Sequence, residues 1–199
     1  MRVLDVSNSV LMPPNKYTTM VLQFTKLKGL TSLNVSGTGF NATSLEMVVE
    51  YLCNLENLDI SCTKVGDITC LKNLQDRLKN LNLYGLNFSP NPEVLNDAVE
   101  ILCNMKELRH LDISDEKDLQ HPFDMLNSNQ GKIPAVPFLR SSIHKLPFLT
   151  SLDLSGNNIL YTIKPRSKGS TLPSISANPT KNCVITSFLK LARQRRSSQ

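Results

Sequence analysis

Apolar and polar residues alternate in short stretches that recur along the chain. In "NLDIS", which begins at Asn57, Leu58 and Ile60 alternate with polar residues. This period of two predicts a half-buried β-strand with one apolar face and one polar face. Similar stretches predict further strands: "VLDVS", "SLNVS", "NLNLY", "HLDIS" and "SLDLS".

The spacing of these stretches indicates a repeat architecture. Their common form is L-x-x-L-x-(L/I/V)-S, and successive copies of its second leucine are 29, 25, 23, 30 and 41 residues apart. Four of these gaps lie within or close to the range of leucine-rich repeats, and the last implies an insertion, which we place at about residues 115–145. The second leucines are Leu4, Leu33, Leu58, Leu81, Leu111 and Leu152.

Between the strands, the apolar period changes to that of a helix. We expect Thr43 and Glu46 to form a capping box at the start of one helix. Asn91 followed by Pro92 predicts the start of a later helix, and Asn15 is the expected cap of the first. The inward face of the helix after Thr43 is predicted to hold Leu45, Val48, Val49, Leu52 and Leu55.

The segment Asp67–Arg77 is a shorter link, and its apolar face is predicted to hold Ile68, Leu71 and Leu74. Each strand–helix unit can bury its apolar face only against neighbouring units. We therefore predict an α/β leucine-rich-repeat solenoid of about six repeats over residues 1–159, with parallel strands on the concave face and helices outside.

Turns after the strands are the weakest part of the pattern. Leucine-rich repeats often place Asn three or four residues after each strand, where it satisfies backbone groups. Here that position holds Ser9, Thr38, Thr63, Leu86, Glu116 and Asn157. Ser and Thr can do part of this work, whereas a leucine cannot, so the turn at Leu86 needs another partner.

Polar residues of the strands should line the concave face in columns, and solenoids bind proteins on such faces. The candidate protein-binding residues are Asn57, Asp59, Asn82, Tyr84, His110, Asp112 and Asp153. Two interpretations stay open: a specific binding site, or small polar side chains that a tightly curved sheet tolerates. Tyr84 and His110 interrupt columns of smaller residues, so we favour them as contact residues.

Charge is distributed unevenly along the chain. The net charge is +5, but residues 160–199 hold eight basic residues and no acidic one, which leaves −3 for residues 1–159. We therefore predict a basic Pro/Ser/Thr-rich tail at 160–199, with a short helix at about 184–193, and no nucleic-acid surface on the main body. The terminal "KLARQRRSSQ" is either a nuclear-localisation or anionic-surface patch or a solvated tail.

Catalytic and metal-binding patterns find little support. The three histidines are scattered, the recurring aspartates have a repeat-related cause, and no phosphate-binding glycine loop is present. We expect no enzyme, cofactor or metal. No apolar run is long enough for a membrane span, the five cysteines are odd in number, and the N-terminus lacks a signal-peptide pattern, so we expect a reduced cytoplasmic or nuclear setting.

Two stretches carry a resemblance to a known family. "LENLDISCTKVGDITCLKNLQDRLKNLNLYGL" and "LRHLDISDEKDLQHPFDML" resemble the leucine-rich region of the zyg-eleven/zer-one family, in turn residues as well as leucines. The resemblance covers about residues 1–157 and suggests a partial or divergent copy. It implies a non-catalytic substrate-receptor subunit of a cullin-two RING ubiquitin ligase, with elongin B, elongin C and cullin-two as partners.

The resemblance also implies an elongin-binding box, in which a leucine is followed four residues on by a cysteine and then by an apolar residue. Val49–Cys53 and Val99–Cys103 imitate only the first step, since Asn57 and Glu107 fill the apolar position. We interpret both pairs as repeat core. The alternative function is a stand-alone leucine-rich-repeat scaffold for another protein–protein interaction.

Overall fold

A computed structural model describes residues 1–9, 14–89, 91–114 and 145–153, with only the backbone described for 14–18. Its centre is a six-stranded parallel sheet in which the strands follow one another in sequence order. Each strand is three residues long. The strands are β1 Val3–Asp5, β2 Ser32–Asn34, β3 Asn57–Asp59, β4 Asn80–Asn82, β5 His110–Asp112 and β6 Ser151–Asp153.

The second leucine of every repeat lies at the middle of its strand, so these leucines form one in-register row across the sheet, and each of them is called a rung. Leu33 pairs with Leu4 on one side and with Leu58 on the other, and the same register continues through Leu152. From Leu33 onward these leucines are at most 2% exposed, and they form one continuous apolar core with the helices. The predicted α/β leucine-rich-repeat solenoid with six strands is confirmed.

Helices form the second layer, on the apolar side of the sheet. They are α1 Pro14–Phe24, α2 Ala42–Tyr51, a 3-10 helix at Thr69–Leu74, and α3 Pro92–Cys103. Each packs against the next along the chain, α1 on α2, α2 on the 3-10 helix, and the 3-10 helix on α3. None of the helices in the described parts of the chain is long and apolar enough to cross a membrane.

The start of α2 corrects one prediction. The side chain of Asn41 caps this helix by accepting a hydrogen bond from the backbone N–H of Ser44 at 2.9 Å. The capping box predicted for Thr43 and Glu46 is therefore wrong, because Thr43 already lies inside the helix. Asn is among the strongest N-cap residues, and here it precedes the Thr by two positions.

The other two helix starts give one confirmation and one correction. Asn91 caps α3 as predicted, accepting from the backbone N–H of Glu93 at 2.9 Å, and Pro92 is the first helical residue. Helix α1 begins at Pro14, so Asn15 lies within its first turn and is not the cap. Proline suits that first position, because its N–H would have no intrahelical partner there.

The short link between β3 and β4 forms a 3-10 helix in place of an α-helix. Ile68, Leu71 and Leu74 are fully buried, as predicted. Asp67 supports the start of the helix by accepting a hydrogen bond from the backbone N–H of Thr69 at 2.8 Å. A repeat of 23 residues leaves little chain for the outer layer, and a 3-10 helix covers it with few residues.

The turns after β1 to β4 share an unusual backbone conformation. Asn8, Gly37, Cys62 and Gly85 occupy equivalent positions, and all have positive φ, between 53° and 65°. In that conformation each backbone N–H donates to a carbonyl of the following repeat, as Gly37 does to Ser61 at 2.9 Å. The left-handed turn therefore continues the hydrogen-bond ladder beyond the strands.

Side chains complete some of these turns. The hydroxyl of Thr38 donates to the Val35 carbonyl, and that of Thr63 donates to the Ile60 carbonyl, both at 2.6 Å. This confirms the role expected of threonine. Leu86 is instead 7% exposed and joins the core, and its own backbone N–H donates to the Leu83 carbonyl at 3.3 Å.

Several predictions lie outside the described residues. They are the insertion at 115–145 except for its last residue, the turn residues Glu116 and Asn157, the domain boundary at 159, the basic tail at 160–199 and its helix at 184–193. They stay predictions.

Candidate protein-binding face

The concave face is an open groove of about 500 Å³ that all six strands line. Two in-register columns form it. One column holds Asp5, Asn34, Asp59, Asn82, Asp112 and Asp153, and the other holds Ser32, Asn57, Asn80, His110 and Ser151. The columns lie beside the buried leucines because strand side chains alternate between the two faces.

The Asp/Asn column has a structural task in each of the first five repeats. A side-chain oxygen accepts a hydrogen bond from the backbone N–H two residues later, at 2.8–3.0 Å. This Asx turn directs the chain out of the strand into the left-handed turn. The five pairs are Asp5–Ser7, Asn34–Ser36, Asp59–Ser61, Asn82–Tyr84 and Asp112–Ser114.

Amide side chains also link neighbouring strands. The Asn34 amide donates to the Asp5 carboxylate at 3.2 Å, and the Asn82 amide donates to the Asp59 carboxylate at 3.1 Å. In the second column, the Asn80 amide donates to the side-chain oxygen of Asn57. Alternating Asp and Asn over β1 to β5 therefore stabilises that part of the face, since two carboxylates on adjacent strands would repel each other, as at Asp112 and Asp153.

Asp5 shows how these turns affect a carboxyl group. The hydrogen bond from the Ser7 backbone N–H, followed by one from the Ser7 side chain, holds the Asp5 pKa below the ordinary value of an aspartate. Both bonds favour the charged form. The stabilisation is therefore present above the unfolded-state pKa and is lost as the pH falls through the folded-state pKa.

The structure places the seven candidate residues as follows. Six of them line the groove: Asn57, Asp59, Asn82, His110, Asp112 and Asp153. Tyr84 lies just beyond β4 and is half-buried, outside the groove lining, with its backbone N–H bonded to Asn82. His110 is exposed, whereas the other groove residues of the set are partly buried.

Five further polar residues of the two columns line the same groove: Asp5, Ser32, Asn34, Asn80 and Ser151. The period-two pattern already placed them on the concave face. The amide links of Asn34 and Asn80 to the preceding strand leave no signal in one strand's sequence.

Reactive chemistry is not prominent in the described parts of the chain. No group of three or more His, Cys, Asp or Glu residues there could hold a metal ion. Burial raises the pKa of Cys70 to about 12, with the Glu46 and Asp67 charges adding to the effect. Burial also raises the pKa of Cys103. Both thiols are therefore protonated at neutral pH and poor nucleophiles.

The sheet register, the outer helices and the polar groove define a leucine-rich-repeat protein. More particularly, the chain belongs to the Zer-1-like leucine-rich-repeat family, whose model matches residues 46–194. This match starts later than the expected resemblance at 1–157 and runs further towards the C-terminus. Leucine-rich repeats of this kind are protein-interaction scaffolds.

Curated relatives agree with the family. The chain is 28% identical over 142 residues to a protein zer-1 homolog from Homo sapiens and equally to one from Pongo abelii. It is 32% identical over 139 residues to Zyg eleven-related protein 1 of Caenorhabditis elegans. These alignments cover 71% and 69% of this chain, but the chain spans only 17% and 13% of the relatives' length.

A solved structure with a similar arrangement is an internalin from Listeria monocytogenes. It is 18% identical to this chain with a TM-score of 0.32, and the alignment covers 66% of this chain and 56% of that one. A likeness this weak adds nothing to the fold described above.

Proposed function

We propose that this chain is a non-catalytic protein-binding adaptor, the leucine-rich-repeat module of a substrate receptor for a cullin-two RING ubiquitin ligase. Membership of the Zer-1-like family is the observation that carries the proposal. The open polar groove supports it, because solenoids bind proteins on their concave faces. A cytoplasmic or nuclear location suits this role.

The direct test is co-purification. The full chain carrying an affinity tag, expressed in cells that contain the ligase, should recover elongin B, elongin C and cullin-two above the level of a tagged, unrelated leucine-rich-repeat protein. Recovery of cullin-two without added substrate supports a receptor. Absence of all three partners would contradict the ligase role and leave a scaffold.

The motifs that imitate an elongin-binding box do not offer a free surface in this fold. Val49 and Val99 are 3% and 8% exposed, and Cys103 is 1% exposed, so these residues belong to the repeat core as predicted. Cys53 departs from that interpretation because it is exposed. An elongin contact by this chain would therefore need other surface residues, and a Cys53→Ser variant should leave co-purification unchanged.

The second candidate is a scaffold for a different protein. The exposure of His110 in the groove favours it. Tyr84→Ala or His110→Ala should weaken the partner complex while the far-UV circular dichroism spectrum shows that the fold is intact. If both variants recover all partners at wild-type levels, this part of the face is not the contact surface.

A further inference from the structure

Carboxylates form a regularly spaced row on the concave face. Asp5, Asp59 and Asp112 occupy the same position on β1, β3 and β5, and Asn34 and Asn82 lie between them on β2 and β4. Neighbouring strands lie about 4.8 Å apart, so these carboxylates repeat roughly every 9.6 Å across the sheet. Asp153 on β6 pairs directly with Asp112, so the 9.6 Å repeat applies to β1, β3 and β5 only.

The groove is acidic, and no lysine or arginine of the described residues lines it. Its lining includes four aspartates and one histidine. The hydrogen bonds described above to Asp5, Asp59 and Asp112 come from neutral amide and hydroxyl donors, which leave the negative charge in place. An ionised carboxylate has about four acceptor sites. At Asp59 the backbone N–H and hydroxyl of Ser61 occupy one oxygen and the Asn82 amide donates to the other, which leaves about one site for a partner.

We propose that this row binds a segment of a partner protein that carries Lys or Arg at every third position in a polyproline-II conformation. This inference rests on the protein-binding role proposed above and names the chemistry of the partner. A polyproline-II helix has three residues per turn and rises about 3.1 Å per residue. Every third side chain therefore lies on one face, roughly 9.3 Å from the next, which matches the carboxylate spacing.

Other basic segments fit the row less well. A β-strand alternates its side chains between two faces, so basic residues three apart would point in opposite directions. A contiguous basic run places only part of its charge opposite the carboxylates. Spacing, in addition to charge, is thus what the face recognises. Lysine and arginine both suit it, because a single hydrogen bond to the carboxylate oxygen that the serine does not occupy is what remains available at Asp59 and Asp112.

The chain itself suggests the variants for the test. Asp59→Asn with Asp112→Asn removes two charges, yet asparagine forms the same Asx turn at this column in the wild type, at Asn34 and Asn82. The Asx turns should therefore survive. Asp59→Asn costs the acceptor of the Asn82 amide, so the far-UV circular dichroism spectrum of the variant is compared with that of the wild type before binding is measured. Asp76→Asn with Asp97→Asn is the matched control, because both residues are exposed and neither lines the groove.

The probes are two synthetic fluorescent peptides of equal composition, one of repeated Pro-Pro-Arg triplets and one with its arginines contiguous. Fluorescence anisotropy with the full chain should give tighter binding of the triplet peptide, weakening as salt rises. The groove double variant should lose about fivefold or more of this affinity, as expected for two partly exposed ion pairs. The control double variant should bind like the wild type.

Three results would overturn the proposal. The first is equal binding of both peptides, or binding that the groove variant leaves unchanged. The second is triplet binding that appears only after the basic residues of 160–199 are replaced, which would assign the groove to that segment of the chain. The third is self-association that the groove variant abolishes, which would make a second copy the occupant. This experiment needs only the purified chain and a peptide. A negative result would therefore leave the co-purification result with cullin-two unaffected.

Discussion

At the scale of single residues, the Asp/Asn column shows how one side chain serves both fold and surface. From Asp5 to Asp112, each member closes its own turn through one oxygen, and Asn34 and Asn82 use their amides to hold the carboxylate of the preceding strand. Sequence alone placed these residues on the concave face. It could not reveal the links between strands, since those depend on the register of residues 23 to 29 positions apart.

The amide link between β3 and β4 gives the first prediction. Asn82→Asp replaces the donor to Asp59 by a second carboxylate, so we expect a loss of about 1–2 kcal/mol in the free energy of unfolding at pH 7. The loss should shrink below about pH 4, where carboxylates become protonated. Chemical denaturation at the two pH values measures it, and an equal loss at both would contradict the electrostatic part of the explanation.

The left-handed turn position gives a pair of opposite predictions. Cys62 has a φ of 53°, a conformation that costs a residue with a Cβ about 1 kcal/mol or more. Cys62→Gly should therefore stabilise the protein by up to about 1 kcal/mol, because the gain exceeds the added chain entropy of glycine. Gly37→Ala, at a φ of 65° with a new Cβ 2.3 Å from the Asn8 side-chain oxygen, should destabilise it. Thermal unfolding of both variants decides; two shifts of the same sign would refute this interpretation of the turn.

At the scale of elements, the helix starts separate what the sequence could predict from what it could not. Asn91–Pro92 was recognised because cap and first residue stand together without a competitor. At α2, the capping-box pattern of Thr43 and Glu46 stood close to Asn41, a stronger cap. Local patterns cannot choose between adjacent caps, because packing of Leu45 and Val48 into the core decides where the first turn begins.

Cap assignment at α2 can be measured. Asn41→Ala should lower the free energy of unfolding by about 1 kcal/mol, because a backbone N–H of the first turn loses its acceptor. Thr43→Ala, at an exposed position inside the helix, should stay within about 0.5 kcal/mol of the wild type. Urea denaturation of the two variants compares them. A larger loss of unfolding free energy for Thr43→Ala than for Asn41→Ala would contradict this cap and support the capping box.

At the scale of the whole molecule, the leucine spacing was sufficient for the fold. A period of 23 to 30 residues between identical strand patterns has few other solutions, and the five in-register pairs follow from it. The candidate site was predicted less completely. Its columns follow from alternation, but the amide links between strands and the spacing of the carboxylates on β1, β3 and β5 emerge only once the strands are aligned.

Stability of the stack should depend on each buried rung. Leu81 is 2% exposed between Leu58 and Leu111. Leu81→Ala should cost about 2–5 kcal/mol, the usual range for removing a buried leucine side chain. The exposed Leu22→Ala is the matched control and should cost far less. Equilibrium denaturation compares them, and equal losses would show that Leu81 is not a core rung.

Residue-resolved hydrogen exchange tests the stack of consecutive rungs most directly. The backbone N–H groups of Val35, Ile60 and Leu83 each donate to the carbonyl of an aspartate or asparagine on the following strand, at 2.8–3.1 Å. If the six strands form one parallel ladder, these three amides should be strongly protected and exchange with one common opening free energy. Fast and unrelated exchange of the three amides would contradict the parallel ladder. It would also contradict the concave face, because that face is built on the ladder.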